Sequence, residues 1–391
     1  MKIAVVNLDS PFLINPKVFP PLGILYIASA LRREGHEPVW YDFAGGAEYK
    51  VVNENIVFIT ITSPQLNELF EYVKCFCEGK RVIVGGCGVQ SLTKERKLCF
   101  DIAFEGEADN CISDILHFGI KTYNCQVNLD KVEFPARDLI KGYEYKINGR
   151  SATTMITSRG CPYNCIFCVS GNIKGFRIAS VERVCQEIDK IFDIGYRALM
   201  FFDDLFTLNK KRLKIISDYL SDKGFLYRCF SHINSVDDTL CNILADSGCV
   251  EVGIGIESLD NQILKTVKKG FTVEKATKAI KLLLSYNIRV KTFFMLGLPG
   301  ESYKSIDNMK RWLHDVKPSD VDFSIYSPFP NTEIWDNKNK YDISWNGKTS
   351  IAFKGIPGKY DSLVSTSSLS RKDIIEERDK LEREFKHVSS S

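Results

Sequence analysis

Short apolar segments alternate with longer amphipathic segments along most of this 391-residue chain. Within residues 1–125, five segments have the length and residue types of strands: KIAVVNL, PVWYDF, NIVFITI, RVIVGG and DIAFEGE. The segments PLGILYIASALRREGHE, QLNELFEYVKCFCEGK and ADNCISDILHF have the pattern of helices. Strands that alternate with helices form a parallel sheet covered on both faces. The sequence therefore predicts an N-terminal α/β domain with a doubly wound, Rossmann or flavodoxin-like parallel sheet.

The same alternation resumes at residue 151 with longer helices. The pattern predicts strands at 153–157, 197–203, 226–232, 249–256, 289–296 and 320–326. It predicts helices near 181–194, 209–222, 238–246, 273–286 and 303–315. Such a series is typical of an open, partial (β/α)6 barrel, here at 151–330, with its chemistry at the carboxyl ends of the strands. Residues 126–150 are expected to be a linker. Residues 331–391 are expected to be a C-terminal tail or lid with a helix near 371–387.

Composition favours neither nucleic acid nor a membrane surface as a partner. The 52 basic and 49 acidic side chains give a net charge of +3, which makes no electrostatic case for either. The first apolar run, after Lys2, is too short for a signal-peptide core, and no run approaches membrane-spanning length. We therefore expect a cytoplasmic protein whose thiols stay reduced.

Three of the 13 cysteines lie together in the segment TSRGCPYNCIFCVSG, at Cys161, Cys165 and Cys168. A structural zinc site needs four ligands, and the chain has no second cysteine pair of matching spacing. A disulfide would leave one thiol over and does not suit this compartment. A cubane iron–sulfur cluster has four irons, so three thiolates would leave one iron open to another ligand. The spacing therefore favours a 4Fe–4S cluster with an open iron.

The segment SRGCPYNCIFC resembles the radical SAM signature CxxxCxΦC, with Phe167 as its aromatic residue. The resemblance implies that Cys161, Cys165 and Cys168 hold the 4Fe–4S cluster, whose open iron chelates S-adenosylmethionine (SAM). It also implies reductive cleavage of SAM to methionine and a 5′-deoxyadenosyl radical. That radical abstracts hydrogen from an unactivated position of the substrate. Phe167 is a candidate SAM contact, near the adenine.

Three further segments resemble SAM-binding motifs of the same family. FFDDLFTLN resembles the motif for the SAM amino group, with Asp203 and Asp204 as acceptors. VGIGIESLD resembles the segment that contacts the ribose, which implies Glu257 and Ser258. FFMLGLPGES resembles the motif that lets SAM approach the backbone, which implies Gly297, Gly300 and Glu301.

The N-terminal domain, 1–125, resembles the cobalamin-binding-type domain that precedes the barrel in one radical SAM subgroup. The resemblance rests on FPPLGILYIASALRREGHEPVWYDF, VIVGG and FEGEAD. It implies a cobalamin in a crevice lined by residues at the carboxyl ends of the strands: Ser63, Gly85, Gly86, Gly106 and Glu107. Cobalamin domains with a DxHxxG loop place a histidine under the cobalt. Here Asp9 is present without a histidine two residues later, which implies a free or water-bound lower face.

Three functions follow from these patterns. The first is cobalamin-dependent methyl transfer to an unactivated position. The second is radical cyclisation, rearrangement or bond cleavage without methylation, and the third is an iron–sulfur electron carrier or redox sensor. As partners we expect a small-molecule substrate and a reductant such as flavodoxin or ferredoxin. Polar residues that are candidates for the barrel interior are Tyr163, Asn172, Arg177, Arg228, His232, Asn234 and Lys291.

Overall fold

The computed structural model describes residues 1–10, 13, 15–123, 126–170, 175–345, 358 and 360–386. The chain divides into two compact units, Met1–Tyr145 and Lys146–Ser391. Most of the expected linker, residues 126–145, therefore belongs to the first unit. The Ser29 hydroxyl donates a hydrogen bond to the carbonyl of Phe134 at 2.6 Å, and the Ala136 N–H donates to the carbonyl of Leu25. These bonds tie the segment to the first helix.

The first unit is built around a five-stranded parallel sheet. The strands of this unit are β1 (Lys2–Asn7), β2 (Glu37–Asp42), β3 (Ile56–Thr60), β4 (Arg81–Gly85), β5 (Ile102–Ala103), β6 (Glu105–Gly106) and β7 (Thr122–Tyr123), of which β6 and β7 form a separate pair. Its helices are α1 (Leu22–Arg33), α2 (Leu66–Phe76), α3 (Lys94–Lys97) and α4 (Ile112–Phe118). The sheet order is β2-β1-β3-β4-β5, which is the flavodoxin-like order, and the direction of progression reverses between β1 and β3. The predicted doubly wound domain is confirmed.

Both faces of this sheet are buried, as the apolar runs predict. Ala4 and Val6 of β1 belong to the core on the face covered by α2, whereas Ile3 and Val5 belong to the core formed with α1 and α4. Successive side chains of a strand point to opposite faces, so a strand buried on both faces reads as a continuous apolar run.

The second unit contains a seven-stranded sheet. The strands of this unit are β8 (Lys146–Ile147), β9 (Arg150–Met155), β10 (Ser158–Arg159), β11 (Arg177–Ile178), β12 (Ala198–Phe201), β13 (Leu226–Ser231), β14 (Cys249–Glu257), β15 (Arg289–Leu296), β16 (Asp320–Ile325), β17 (Ser344–Trp345) and β18 (Val364–Ser365). β10 pairs with β11, and β17 with β18, outside the seven-stranded sheet. Its helices are α5 (Val181–Asp193), α6 (Lys210–Asp222), α7 (Asp238–Asp246), α8 (Asn261–Thr266), α9 (Val273–Ser285), α10 (Tyr303–Val316), α11 (Glu333–Asp336) and α12 (Arg371–Phe385).

The strand order of this sheet is β16-β15-β14-β13-β12-β9-β8. All neighbours from β9 to β16 are parallel, and β8 pairs antiparallel with β9. β16 and β8 are the two edges of the sheet, so the barrel is open, as predicted. Residues in β13, β15 and β16 alternate between buried and half-buried, because one face packs under helices and the other lines the interior.

The C-terminal helix covers the β16 edge of the barrel. Arg378 of α12 is buried, and its Nε donates a hydrogen bond at 3.1 Å to the carbonyl of Phe323 in β16. Covering an edge strand protects its unpaired backbone groups. The helix expected near 371–387 is thus present at Arg371–Phe385, and residue 387 lies outside the described residues. Within the part of the chain that is described, no helix has the length and apolar character needed to cross a membrane.

Candidate active site

The loop that carries the three cysteines begins and ends at a short antiparallel pair of strands. β10 and β11 align Ser158 with Ile178, so the residues between them form one loop that follows the carboxyl end of β9. In the middle of this loop, the Ile166 N–H donates a hydrogen bond at 3.2 Å to the carbonyl of Val267. The loop is therefore fixed both at its base and near its cysteines.

Cys161, Cys165 and Cys168 are free, half-buried thiols. Burial raises the pKa of Cys161 to about 11, and the nearby Asp204 and the other two thiols add to this shift. Burial also raises the pKa of Cys165, and proximity to Cys168 contributes. The sulfurs of Cys161 and Cys165 thus lie close enough to Cys168 for its thiol to influence their ionisation. They would lose their protons on binding a metal, because the thiolate is the ligand.

The arrangement of these thiols does not match a mononuclear metal site. Among the described residues, no three His, Cys, Asp or Glu side chains are arranged to hold a single metal ion. A structural zinc site needs four ligands that converge on one ion. A cubane cluster places each thiolate on a different iron, so its ligands surround a larger group. Three neighbouring thiols without a fourth ligand therefore fit a cluster with an open iron.

The two aspartates that follow β12 differ in their surroundings. The buried Asp203 carboxylate accepts hydrogen bonds from the Thr157 N–H, the Thr157 hydroxyl and the Ser158 hydroxyl. Asp204 is exposed and accepts a hydrogen bond at 3.1 Å from the Ser170 hydroxyl, within the cysteine loop. Both were predicted as contacts of the SAM amino group. The structure encloses Asp203 and leaves Asp204 beside the loop.

A buried ion pair lies where β14 ends. Lys269 Nζ is 2.9 Å from Glu257 Oε1 and 5.8 Å from the centre of the Phe167 ring. Glu257 has a φ of 73° at an irregularity in the β14–β15 pairing, and a Cβ at Gly255 would lie 2.3 Å from its carboxylate. Glu257, predicted as a ribose contact, therefore has an internal partner. Ser258, predicted for the same role, has a buried hydroxyl for which the described residues provide no hydrogen-bond partner.

The glycine-containing segment after β15 is shaped by Glu301. The Gly297 N–H donates a hydrogen bond to the Glu301 carboxyl. Gly297 has a φ of 89° and Gly300 a φ of 84°, a region that favours glycine. Burial raises the pKa of Glu301 to about 8, so its carboxyl is largely protonated at neutral pH. The buried Glu301 side chain therefore stabilises the turn by accepting this hydrogen bond, and the two glycines allow its positive φ angles.

Several buried polar atoms at the ends of β14, β15 and β16 have no hydrogen-bond partner among the residues described. They are Ser258 Oγ, Glu301 Oε1, Tyr326 OH and Ser327 Oγ. A buried polar group without a partner is unfavourable, so such atoms indicate where a polar ligand would complete the hydrogen bonding. SAM has amino, carboxylate and hydroxyl groups, which suit these four atoms as hydrogen-bond partners.

Sequence reasoning missed two residues of this region, Ser327 and Lys269. Ser327 comes shortly after β16, so its position at a strand's carboxyl end was a usable signal. Lys269 lies in the connection between α8 and α9, where no periodic pattern points to a buried side chain. Its pairing with Glu257 depends on tertiary structure alone.

Tyr163, between the first two cysteines, stacks on His232 at the end of β13. The ring centroids are 3.8 Å apart and the planes differ by 19°. His232 Nδ1 accepts a hydrogen bond from the Asn234 N–H, and burial lowers the pKa of His232 to about 3. The neutral imidazole of His232 therefore packs against the cysteine loop through the Tyr163 ring.

Two other predicted interior residues form ion pairs within the barrel wall. Lys291 Nζ lies 2.8 Å from Asp320, and Arg228 pairs with Glu251. Arg177 lies in β11, at the base of the cysteine loop, and Asn172 lies outside the described residues.

The predicted cobalamin residues lie at or shortly after the carboxyl ends of β3, β4 and β6. Ser63 and Ser91 share a hydrogen bond of 2.8 Å, and Glu107 accepts one at 3.0 Å from the Val127 N–H. At Gly86 a Cβ would lie 2.5 Å from the carbonyl oxygen of Ile61, so this glycine allows the loops after β3 and β4 to pack closely.

Gly85 and Gly106 leave this edge of the sheet open. A Cβ at Gly85 would meet no atom within 4 Å. Gly106, with a φ of 121°, is exposed. The edge lies at the carboxyl ends of a flavodoxin-like sheet, where such folds bind their ligands. An open edge with small residues fits a large, flat cofactor.

A separate cleft of about 580 Å³ lies beside β2 in the same unit. Its lining includes Lys17, Gly45, Gly46 and Glu144. This cleft is on the β2 side of the sheet, whereas the predicted crevice follows β3, β4 and β6.

Comparison with known proteins gives one family match and several relatives. Residues 155–313 match the sequence model of the Radical SAM superfamily. The chain is 28% identical over 377 residues to an uncharacterised methyltransferase of Pyrococcus horikoshii, covering 85% of this chain and 82% of the relative. It is 25% identical to the bacteriochlorophyllide d C-8(2)-methyltransferase of Chlorobaculum tepidum, covering 77% of this chain and 70% of the relative.

Among solved structures, the chain is similar to that of the cobalamin-dependent S-adenosylmethionine radical enzyme OxsB with aqua-cobalamin bound. The TM-score is 0.72 at 17% sequence identity, and the match covers 95% of this chain and 65% of the other. The likeness extends over both units and agrees with the fold class predicted from the sequence.

Proposed function

We propose that this chain, a radical SAM enzyme, transfers a methyl group from cobalamin to an unactivated position of a small-molecule substrate. The observation that carries the radical part of this proposal is the cysteine loop. Cys161, Cys165 and Cys168 form a three-thiol set at the carboxyl end of a barrel strand, and the described residues add no fourth metal ligand to it. Such a set leaves one iron of a cubane cluster open.

The radical SAM family uses a 4Fe–4S cluster and SAM. When bound, these groups supply the reductive cleavage of SAM and the abstraction of a substrate hydrogen atom. In this chain the three thiolates would hold the cluster. Asp204 and Ser258 would contact SAM. The Asp204 carboxylate lies beside the cysteine loop, and the Ser258 hydroxyl, which has no hydrogen-bond partner among the described residues, lies at the end of β14. Tyr163 and His232 would keep the loop in place by stacking.

Cobalamin is proposed as the methyl carrier because the first unit offers a suitable edge. The sheet has the flavodoxin-like order, and its glycine-rich carboxyl edge is open at Gly85 and Gly106. Ser63, Gly86 and Glu107 complete the set of residues proposed to line the cofactor. Relatives named as methyltransferases match over most of both chains, and the similar OxsB structure contains aqua-cobalamin.

A small-molecule substrate and a protein reductant, such as flavodoxin or ferredoxin, complete the proposal. The half-buried thiols must be reduced to hold a cluster, which is why we propose a cytoplasmic location. The cluster also needs an external electron for each cleavage of SAM, which is the reason for proposing a reductant.

SAM cleavage by the reconstituted protein tests the radical step of this proposal. Protein purified without oxygen is given SAM and a chemical reductant, and 5′-deoxyadenosine is quantified. We expect Cys161→Ala to abolish its release, because the cluster loses a ligand. The matched control is Cys185→Ala, which removes a half-buried thiol outside the loop and should leave release unchanged. Release at the native rate by the Cys161→Ala protein would contradict the assignment.

A further inference from the structure

We propose that Asp203 is a positioning residue that holds the base of the cysteine loop, and that Asp204 alone of this pair meets SAM. The inference rests on the proposed function for the identity of the bound groups. The observation behind it concerns only this chain. Residues at the base of the cysteine loop enclose the Asp203 carboxylate.

Asp203 is bound on several sides by residues that precede the first cysteine. The Thr157 N–H donates to Oδ1 at 3.1 Å and to Oδ2 at 3.0 Å, and the Thr157 hydroxyl donates to Oδ1 at 2.7 Å. The Ser158 hydroxyl also donates to Oδ1. With 1% of its surface exposed, Asp203 has no room for a further ligand.

The residues held by Asp203 form the junction between the barrel and the loop. Beyond Asp203, the Thr157 carbonyl accepts hydrogen bonds from the Ala179 N–H at 2.9 Å and from Arg212 Nη2 at 3.3 Å. Ser158 pairs with Ile178 in the hairpin at the loop's base. Asp203 therefore joins the carboxyl end of β12 to the two ends of the cysteine loop.

The donors around Asp203 stabilise this junction. A buried carboxylate is unfavourable unless donors surround it, and hydrogen bonds to a charged acceptor are stronger than those between neutral groups. Burial raises the pKa of Asp203, whereas the hydrogen bonds from Ser158 and Thr157 and the nearby Arg212 guanidinium lower it. Loss of the charge would weaken several bonds to Thr157 and Ser158 at once.

Asp204 has the opposite environment. Its side chain is exposed and close to Cys161, and it accepts a hydrogen bond at 3.1 Å from the Ser170 hydroxyl. A carboxylate in this position can accept a hydrogen bond from an ammonium group without leaving a structural bond unmade.

The test compares Asp203→Asn with Asp204→Asn, two isosteric changes at adjacent positions. Three quantities are measured: amide hydrogen exchange of residues 157–170 in protein without cofactors, iron and sulfide content after anaerobic reconstitution, and the Kd for SAM. For Asp203→Asn we expect faster exchange and a loss of roughly half or more of the cluster. For Asp204→Asn we expect native exchange and cluster content, with a Kd for SAM about tenfold higher.

Two results would overturn the inference. One is native exchange and cluster content in Asp203→Asn together with weakened SAM binding. The other is a loosened loop in Asp204→Asn. Should Asp203→Asn fail to fold, Ser158→Ala and Thr157→Val each remove one donor and keep the carboxylate, and they should loosen the same peptides to a smaller degree. If no variant, nor the native chain, takes up a cluster, the proposed function fails, whereas the exchange data still decide the role of Asp203.

Discussion

Glu301 lies fully buried beyond the end of β15, where it accepts a hydrogen bond from the Gly297 N–H. Burial raises its pKa to about 8 from an ordinary value of 4.5. Near neutral pH the carboxyl is therefore protonated in the folded chain and ionised in the unfolded chain. Unfolding then releases a proton, so the contribution of Glu301 to stability is present at low pH and is lost as pH rises between these two values.

We predict that Glu301→Gln flattens this pH dependence. The free energy of unfolding of the native protein, minus that of the variant, should fall with pH by at most about 1.4 kcal/mol per pH unit between about 4.5 and about 8. Urea unfolding at a series of pH values measures this difference. A difference that does not change with pH would show that Glu301 is ionised in the fold.

Individual residues also show what a sequence pattern can and cannot reveal. The spacing of Cys161, Cys165 and Cys168 was sufficient to propose an open cluster site, because ligand spacing on a loop is local information. The different surroundings of Asp203 and Asp204 were not predictable. They depend on which of two adjacent side chains turns toward Thr157, and that contact spans 46 residues.

Among the secondary-structure elements, the C-terminal segment has a role beyond that of a lid. The turn at Gly297 precedes α10 and packs against β18 and α12. A Cβ at Gly297 would lie 2.8 Å from Val364 Cγ2 and 3.3 Å from Ile374 Cδ1. The Thr366 hydroxyl donates a hydrogen bond at 2.9 Å to the carbonyl of Glu301. The segment therefore supports a proposed SAM-binding turn.

We predict that Gly297→Ala destabilises the second unit more than Gly300→Ala does. Both positions have positive φ, so both variants should lose about 1 to 2 kcal/mol through backbone strain. Only Gly297→Ala also meets a close neighbour, because the nearest atom to a Cβ at Gly300 is Ile263 Cγ1 at 3.9 Å. The additional loss should be about 1 to 3 kcal/mol, measured by denaturant unfolding. Equal losses would contradict close packing of the C-terminal segment on this turn.

The elements themselves were largely predictable, whereas their long-range contacts were not. The helices expected at 181–194 and 238–246 are present at Val181–Asp193 and Asp238–Asp246, because caps and apolar periodicity are local signals. No local sequence pattern indicated the packing of Val364 on Gly297. It joins an irregular tail to a turn far away in sequence.

At the scale of the whole chain, the sequence predicted two α/β domains of the observed classes, with a linker at 126–150, whereas the first compact unit extends to Tyr145. Residues 126–145 have little periodicity and were expected to be a linker, yet Ala136 is buried in the core of the first unit. Alternation of strands and helices also does not specify strand order. The flavodoxin-like order, and with it the edge on which a cofactor is proposed, required the three-dimensional structure.

The most direct test of methyl transfer from cobalamin is the cobalamin content of protein produced with cobalamin supplied and purified without oxygen. Absorbance and mass spectrometry measure it in the native chain and in Gly85→Val. Gly85 has open space where a side chain would begin, so this variant should fold normally while its side chain enters the crevice. We predict a stoichiometric amount of cobalamin in the native protein and little in the variant. A native protein that carries its cluster and cleaves SAM, yet retains no cobalamin, would contradict the proposal.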